Sequence, residues 1–314
     1  MNKINYTIII PHKNIPDLLK RCLDSIPKRD DLQIIVVDDC SNREHIDSLV
    51  KISIEYSHVS FIYSETSGGG GKARNEGLKL AKGYYILFAD ADDFFNYCIN
   101  DVLEEYKNTN HDVIFFNANS LDTDTYLTTY RCNHLNRMIH LYEKESWKAI
   151  FQLKYCFGEP WCKFVKHQLI EKYNISFSET IIHNDTRYSY LIGHYSSNIK
   201  IDNRAIYCVT DRIGSVSKSI SLERLFVRTY IFAEATMFFR NNGISLYGQF
   251  VFNPLNKLLF KGDWKNSKEC CRIMKRCGMS SSLIFKGYSL FLIKRIVQIP
   301  FRIIKVLIQT LKKN

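Results

Sequence analysis

Residues 84–95 read Tyr-Tyr-Ile-Leu-Phe-Ala-Asp-Ala-Asp-Asp-Phe-Phe, an apolar run followed by a cluster of carboxylates. The apolar part, Tyr84–Phe88, predicts a short buried strand. The carboxylates Asp90, Asp92 and Asp93 come at its carboxyl end, where ligands bind in open α/β sheets. Because like charges this close repel, the cluster favours a divalent cation that also binds substrate phosphates. The alternative is a solvated acidic turn that closes the strand.

A second acidic pair, Asp38 and Asp39, follows another apolar, β-branched run at residues 33–37. A first strand is predicted at residues 4–10, and Pro11 is expected to end it. Further strands are predicted at residues 59–63, 84–88, 112–117, 199–201 and 205–209. Predicted helices alternate with the early strands, and the strands are apolar without alternation. This pattern predicts an α/β fold whose mostly parallel sheet has helices on both faces. Both acidic clusters then lie at one edge of that sheet.

Residues 67–77, Ser-Gly-Gly-Gly-Gly-Lys-Ala-Arg-Asn-Glu-Gly, lead into a predicted helix. They do not form a Walker phosphate loop, because Ala73 follows Lys72 and Thr66 stands where the first glycine is required. Lys72 and Arg74 beside a helix start are still placed to meet an anion. The alternative is a flexible surface loop.

The 314-residue chain is long enough for two units, and 46% hydrophobic with 24% charged residues is typical of a globular protein. The first residues lack the apolar segment of a signal peptide. The ten cysteines include no Cys-x-x-Cys pair, which favours reduced structural thiols in a cytoplasmic protein.

The net charge of +11 is concentrated near the end of the chain. Residues 286–314 carry seven lysines and arginines and no acidic residue, whereas a nucleic-acid-binding protein usually spreads basic residues over a folded face. Residues 294–314 predict a basic amphipathic helix, kinked at Pro300, that lies in an anionic membrane surface. The alternative is a helix packed on the protein with its charges in water.

The order of these motifs resembles the family-two inverting glycosyltransferases of bacterial surface-polysaccharide assembly (capsule or O-antigen), which have the A-type glycosyltransferase fold. The resemblance covers about residues 4–217. It is carried by Thr7–Asn14, Ile34–Ser41, Lys72–Gly77, Gly83–Asp93, Trp161–Lys163, Asp185 and Gly214–Ser217. It implies a glycosyltransferase domain at 1–220, with a nucleotide-sugar-binding half at 1–118 and an acceptor-side half at 119–220. Residues 221–314 lie outside the resemblance, and the helical period of their sequence predicts a helical C-terminal region that ends in the basic amphipathic helix.

The resemblance also implies roles for particular residues. Asp39 would bind the base or ribose, Asp90 would contact the ribose, and Asp92 would hold Mn²⁺ or Mg²⁺. The residues implied in nucleotide-sugar binding are Pro11, Asn14, Asp39, Lys72, Arg74 and Asp90. Asp185 would be the general base. Trp161 would stack on a sugar ring of the acceptor or donor, or else be a core residue, since large aromatics are mostly buried.

Two features depart from the family pattern. His12 and Lys13 occupy the first turn, and Asn184 stands where the family commonly has glutamate. An aspartate directly before a helix is also often a cap, which is the alternative for Asp185.

The implied reaction moves a hexosyl or N-acetylhexosaminyl group from a nucleotide sugar, with a UDP-sugar expected, to a hydroxyl of a lipid-linked or polysaccharide acceptor. A divalent ion would neutralise the leaving diphosphate, and a carboxylate would take the hydroxyl proton. The enzyme would act at the inner face of the cell membrane. A nucleotidyltransferase is a further alternative, but it needs a glycine-rich loop after the first strand. A non-catalytic binding protein on the same fold would be expected to have lost Asp92 or Asp185.

Overall fold

A computed structural model of the chain describes residues 3–142, 147–211, 221–244 and 249–293. The chain divides into two compact units, Met1–Lys218 and Ser219–Asn314. The predicted basic helix at 294–314 and the Gly214–Ser217 motif lie outside the described residues. Within the described residues, no helix is both long enough and apolar enough to cross a membrane.

The described residues of the first unit form an eight-stranded sheet. Its strands are β1 Tyr6–His12, β2 Leu32–Asp38, β3 Ser60–Tyr63, β4 Tyr85–Phe88, β5 Phe94–Phe95, β6 Val113–Asp122, β7 Lys163–Lys166 and β8 Ile199–Asp211. The strand order is β3-β2-β1-β4-β7-β6-β8-β5. Strands β3, β2, β1 and β4 are mutually parallel, and β6 is parallel to β8. Strand β7 is antiparallel to β4 and β6, and β5 to β8. The predicted α/β class with a mostly parallel sheet is confirmed.

Helices connect these strands, as the sequence pattern predicts. They are α1 Pro16–Asp24, α2 Arg43–Glu55, α3 Gly69–Leu80, α4 Ile99–Tyr106, α5 Asn133–Tyr142, α6 Trp147–Cys156, α7 His167–Lys172 and α8 Thr186–Tyr195. The apolar sequence of β1 matches its place inside this parallel part of the sheet, because Ile8, Ile9 and Ile10 are all fully buried. A strand that is covered on both faces needs a continuous apolar run rather than an alternating one.

Pro11 was expected to end the first strand, and this expectation is wrong. Strand β1 continues to His12, and Pro11 pairs in register with Val37 of β2. The carbonyl of Ile9 faces β4, where it accepts from Ala89 N at 3.1 Å. Residues two apart on a strand face the same side, so Pro11 also faces β4, but beyond the last paired residue, Phe88. Its missing N–H therefore breaks no ladder bond.

Two further boundaries differ from the prediction. The separate strands predicted at 199–201 and 205–209 form one strand, β8, which has a register shift opposite Phe116 and Asn117. Such an irregularity keeps the pairing while it bends the strand. Helix α3 begins at Gly69, inside the glycine run, and Gly69 has a φ of +80°.

The second unit is helical in its described part. It contains α9 Leu222–Asn241, a short 3-10 turn at Gln249–Val251, α10 Phe252–Phe260, α11 Trp264–Arg276 and α12, helical at residues 281–293. A separate apolar core joins these helices. Its buried members include Ala233 of α9, Leu255 of α10, Met274 of α11 and Phe291 of α12.

Gly193 in α8 offers a test of the packing of that helix, which begins directly after Asp185. A Cβ added at Gly193 would lie 1.7 Å from the carbonyl oxygen of Lys154 in α6. We expect Gly193→Ala to destabilise the protein by about 2 kcal/mol or more, although alanine normally favours a helix. Thermal unfolding followed by circular dichroism measures this change.

Gly158→Ala is the matched control, because no heavy atom lies within 4 Å of a Cβ added at Gly158. Its midpoint should stay close to that of the parent protein. An unchanged midpoint for Gly193→Ala would contradict the close approach of α8 and α6.

Candidate active site

The site lies where β1, β2 and β4 end. These strands are parallel neighbours, so their carboxyl ends meet at one edge of the sheet. Pro11 pairs with Val37, strand β2 ends at Asp38, and Asp39 follows it directly. The turn after β4 carries the second acidic cluster. The sequence-based prediction that both clusters share this edge is therefore confirmed by the topology.

Asp38 is buried and connects the end of β1 with the turn that follows β2. Its Oδ1 lies 2.7 Å from His12 Nδ1, and its Oδ2 accepts from Ser41 N at 2.9 Å. Because His12 Nε2 accepts from Ile15 N at 3.2 Å, Nδ1 carries the proton and donates to Asp38. Burial raises the pKa of Asp38, but the hydrogen bonds from His12 and Ser41 outweigh it and lower that pKa below its usual value. Asp38 is thus a structural carboxylate.

Asp39 binds the glycine run instead of facing open solvent. Its Oδ1 accepts from Gly68 N at 2.7 Å and its Oδ2 accepts from Ser67 Oγ at 2.7 Å, while Gly69 N also donates to it. The start of α3, where the sequence predicts that Lys72 and Arg74 meet an anion, therefore binds the carboxylate of Asp39 through its first N–H groups. Its predicted contact with the base or ribose stays a prediction.

Of the two lysines near this loop, Lys13 lies closer to Asp39. The Lys13 ammonium donates to Ser67 Oγ at 2.6 Å and lies 3.6 Å from Asp39 Oδ2. The Lys72 ammonium donates to the carbonyl and hydroxyl oxygens of Thr66, each at 3.0 Å. The family pattern gave no role to Lys13, which occupies one of its departing positions. The nucleotide contact predicted for Lys72 stays a prediction.

Asn14 joins the turns that follow β1 and β2. Its backbone has a φ of +58°, its N–H donates to Ser41 Oγ at 2.8 Å, and its Oδ1 accepts from Asn42 N at 2.7 Å. Asparagine tolerates this left-handed conformation better than most residues. Asn14 therefore connects the two turns at this edge, and the nucleotide pocket that Asn14 and Pro11 are predicted to shape stays a prediction.

Arg74 connects the acidic turn after β4 with the segment before α8. The guanidinium is buried, donates through Nη2 to Asp90 Oδ1 and donates through Nη1 to Asn184 Oδ1 at 3.1 Å. Its Cζ lies 5.4 Å from the centre of the Phe177 ring. Asn184, at which the resemblance predicts a glutamate, is thus a direct partner of Arg74, and it directly precedes Asp185.

The backbone of the acidic turn is held from two sides. The carbonyl of Asp92 accepts from Arg21 Nη2 and from Thr210 Oγ1, both at 2.6 Å. The Asp90 N–H donates to Tyr207 Oη at 2.8 Å. Two of these partners belong to β8, so a strand far along the chain fixes the positions of Asp90 and Asp92.

The third carboxylate of this turn, Asp93, is buried and accepts from Thr210 N at 2.7 Å. Burial raises its pKa well above the usual value, and the nearby charges of Asp90 and Asp92 raise it further. Asp93 therefore anchors the turn, and only Asp90 and Asp92 are left partly exposed.

The partly exposed carboxylates fit a divalent ion that shares its ligands with a substrate. Among the described residues, no group of three or more His, Cys, Asp or Glu could hold a metal ion. Mg²⁺ commonly takes one or two carboxylates and completes its shell with water and substrate phosphates. Asp92, with Asp90 beside it, supplies that kind of incomplete ligand set. The assignment of Asp92 as a metal ligand stays a prediction.

Asp185 directly precedes α8, but its side chain makes no capping hydrogen bond. The carboxylate of Asp185 is therefore not a helix cap of α8. The pKa of Asp185 is raised to about 6, mainly by burial. The positive charge of Arg74 opposes this increase, and the negative charges of Glu159 and Asp90 add to it. A carboxylate with this pKa is ionised at neutral pH and is a stronger base than an exposed aspartate.

Glu159 was not identified from the sequence. Its Oε1 lies 3.2 Å from His134 Nε2, and its Oε2 is buried with no hydrogen-bond partner in the described part of the chain. The hydrogen bond to Glu159 raises the pKa of His134. Glu159 therefore places a second negative charge near Asp185. The only sequence signal is its position two residues before the Trp161–Lys163 motif.

Lys163 ties the same segment to α8. Its ammonium is buried and donates to the carbonyl of Phe157 at 2.8 Å and to Ser189 Oγ at 3.2 Å. Burial lowers the pKa of Lys163 to about 7, against the opposing charges of Glu159 and Asp185. The lysine therefore positions the residues around Glu159 against the helix that carries Asp185.

The structure places Trp161 in the core and corrects its assignment as a sugar contact. Its side chain is only 4% exposed and stacks on Tyr207, with ring centres 5.6 Å apart. The ring presents no open face for a sugar. Tyr207 in turn binds the Asp90 N–H, so Trp161 supports the acidic turn from behind.

Comparison with known proteins identifies the family of this arrangement. The profile of "Glycosyl transferase family 2" matches residues 7–173. The poly(ribitol-phosphate) beta-glucosyltransferase of Bacillus spizizenii is 42% identical over 93 residues, which are 28% of this chain and 15% of that relative. The cholesterol galactosyltransferase of Borreliella burgdorferi is 26% identical over 242 residues, which are 69% of this chain and 65% of the relative. The chain thus spans less than two thirds of either relative.

A solved structure has the same fold. The crystal structure of S. aureus TarS 1–349 in complex with UDP-GlcNAc matches with a TM-score of 0.58 at 23% identity and covers 81% of this chain and 72% of that one. The similarity confirms the predicted A-type fold.

The charges around Asp185 lead to a prediction about its titration. We expect Glu159→Gln to lower the pKa of Asp185 below about 6, because it removes a neighbouring negative charge. We expect Arg74→Met to raise that pKa, because it removes the positive charge. Carboxyl ¹³C shifts followed against pH, with Asp185→Asn to assign the resonance, measure both changes.

Glu171→Gln is the control, because it removes an exposed carboxylate of α7. This substitution should leave the pKa of Asp185 unchanged. If Glu159→Gln and Arg74→Met moved the pKa in the same direction, the described electrostatics would be wrong.

Proposed function

This chain belongs to glycosyl transferase family 2, and we propose that it transfers a hexosyl or N-acetylhexosaminyl group from a UDP-sugar to an acceptor hydroxyl, with inversion. One observation carries the proposal. Arg74 joins Asp90, at the donor edge of the sheet, to Asn184, the residue before Asp185. A carboxylate with raised pKa thereby lies beside the edge at which parallel sheets bind nucleotides. Donor and base are brought to one place, as a single displacement requires.

Asp185 is the proposed general base. Its carboxylate is free of a capping bond and would take the acceptor proton while the hydroxyl oxygen attacks the anomeric carbon. Attack from the face opposite the leaving diphosphate inverts that carbon, so an α-linked donor gives a β-linked product. A pKa of about 6 keeps the base ionised at neutral pH. General-base catalysis of this kind contributes about 10²- to 10⁴-fold in rate.

The donor would occupy the edge formed by Pro11, Asn14, Asp39 and Asp90. Support for a UDP-sugar comes from the UDP-GlcNAc complex of the structural relative. Asp92 would hold a Mn²⁺ or Mg²⁺ ion, which when bound neutralises charge on the diphosphate. The carbonyl bonds to Arg21 and Thr210 keep Asp92 at this edge.

We propose a lipid-linked or polysaccharide acceptor at the inner face of the cell membrane. Two relatives are named for transfer to poly(ribitol-phosphate) and to cholesterol, a polymer and a membrane lipid. Both names are compatible with the synthesis of a bacterial surface glycan such as capsule or O-antigen. The basic sequence of residues 286–314 supports an anionic membrane surface as a further partner.

The proposal is tested first by donor binding. Calorimetric titration with UDP-, GDP- and dTDP-sugars, with Mn²⁺ and then with EDTA, should show metal-dependent binding of one UDP-sugar. Asp92→Ala should abolish that binding, and Asp101→Asn, which changes an exposed aspartate of α4, should not. No binding of any nucleotide sugar with metal present would refute the proposed function.

The base is tested separately. We expect Asp185→Asn to lower the rate of UDP release by about 10²- to 10⁴-fold while donor binding is retained. The parent rate should rise with pH through about 6 and level off above it, because only ionised Asp185 accepts a proton. An unchanged rate for Asp185→Asn would remove this residue from the mechanism.

A further inference from the structure

The turn between α10 and α11 exposes two large aromatic side chains. Phe260 ends α10 and is 81% exposed, and Trp264 begins α11 and is 67% exposed. We call residues 260–264 the aromatic tip. Buried residues on the same two helices, such as Leu255 and Met274, already fill the core of the second unit. Phe260 and Trp264 are therefore additional apolar groups that this core leaves in water.

The aromatic tip is a well-braced turn. Gly262 has a φ of +70°, a conformation that suits glycine. The Asp263 N–H donates to the carbonyl of Leu258 at 3.0 Å. The Asp263 carboxylate caps α11 by accepting from Asn266 N at 3.2 Å. The backbone positions of the two rings are therefore fixed. Little conformational entropy is lost when both rings contact the same partner surface.

Lysines surround the aromatic tip. Residues 257–268 contain four lysines and one acidic residue, Asp263. Lys261, Lys265 and Lys268 are exposed, and Lys257 is partly exposed. The single carboxylate is engaged in the helix cap. The surface around the two aromatic rings therefore carries a net positive charge, and its partner should be anionic.

An anionic bilayer fits this combination better than a protein does. Protein interfaces are depleted in lysine. Tryptophan and other amphipathic rings, in contrast, favour the membrane–water interface, and anionic lipids attract nearby lysines. We propose that the aromatic tip docks on an anionic lipid bilayer, with Phe260 and Trp264 in the headgroup region and the lysines on lipid phosphates. Residues 260–264 are not part of the basic sequence 294–314, and docking through them does not depend on the transferase reaction.

Quenching by brominated lipids tests the insertion directly. The full chain has three tryptophans: Trp161 is buried, Trp147 is exposed, and Trp264 lies in the aromatic tip. In a Trp147→Phe protein, vesicles of phosphatidylglycerol with brominated acyl chains should quench the Trp264 emission. The quenching should be lost in Trp147→Phe/Trp264→Phe and should be weak with phosphatidylcholine vesicles.

Vesicle sedimentation measures the contribution to affinity. Phe260→Ser/Trp264→Ser should weaken partitioning into phosphatidylglycerol vesicles by about tenfold or more, since burying even one such ring is worth at least that factor. Tyr97→Ser is the matched control, because Tyr97 is 98% exposed in the first unit and should leave partitioning unchanged.

Three results would overturn the proposal: no binding to anionic vesicles, binding without quenching of Trp264, or unchanged partitioning of the double variant. Binding without quenching would assign the membrane contact to another segment. Donor binding measured without vesicles is independent of all three, so a failure here is distinguishable from a failure of the proposed sugar-transfer reaction.

Discussion

The arrangement of the site depends on the hydrogen bonds of the Arg74 guanidinium to Asp90 and Asn184. Arg74 reaches both because α3 lies unusually close to its neighbours. A Cβ added at Gly77 would lie 2.5 Å from Ile9 Cγ2 in β1, and one added at Gly71 would lie 2.1 Å from the carbonyl oxygen of Ser178. These glycines therefore allow α3 to fit between the central strand and the segment that leads to Asp185. Part of the glycine run that resembles a phosphate loop is used for packing.

The sequence was sufficient to predict the features that depend on local pattern and chain order. Unalternating apolar strands predicted the parallel sheet, and their order placed both acidic clusters at one edge. What each carboxylate does was not predictable in the same way. Asp38 binds His12, Asp39 binds the start of α3, and Asp93 binds β8. These partners lie between 26 and 117 residues away, and no local pattern encodes contacts at such separations.

The same limit explains Glu159, Lys163 and Trp161. The Trp161–Lys163 motif was recognised as part of a series, but the burial of its residues follows from packing against β8 and α8. A buried ammonium costs much free energy unless it is hydrogen-bonded, and the carbonyl of Phe157 and the hydroxyl of Ser189 provide those bonds. Lys163 therefore specifies how the segment with Glu159 meets α8. Lys163 thus fixes where two segments of the chain pack, and the residue type alone does not predict which segments these are.

Asn184, at which the resemblance predicts a glutamate, has an electrostatic consequence for Asp185. A glutamate here would offer Arg74 a second carboxylate and would place another negative charge next to Asp185. The neutral amide keeps the hydrogen bond to Arg74 without that charge, so the guanidinium still lowers the pKa of Asp185. Glu159 acts in the opposite direction, as does burial. The result is a pKa of about 6, at which a carboxylate is ionised at neutral pH and yet basic enough to accept a proton in the transition state. The neutral Asn184 and the charged Glu159 therefore act on the same quantity, because both contribute to the basicity of the Asp185 carboxylate.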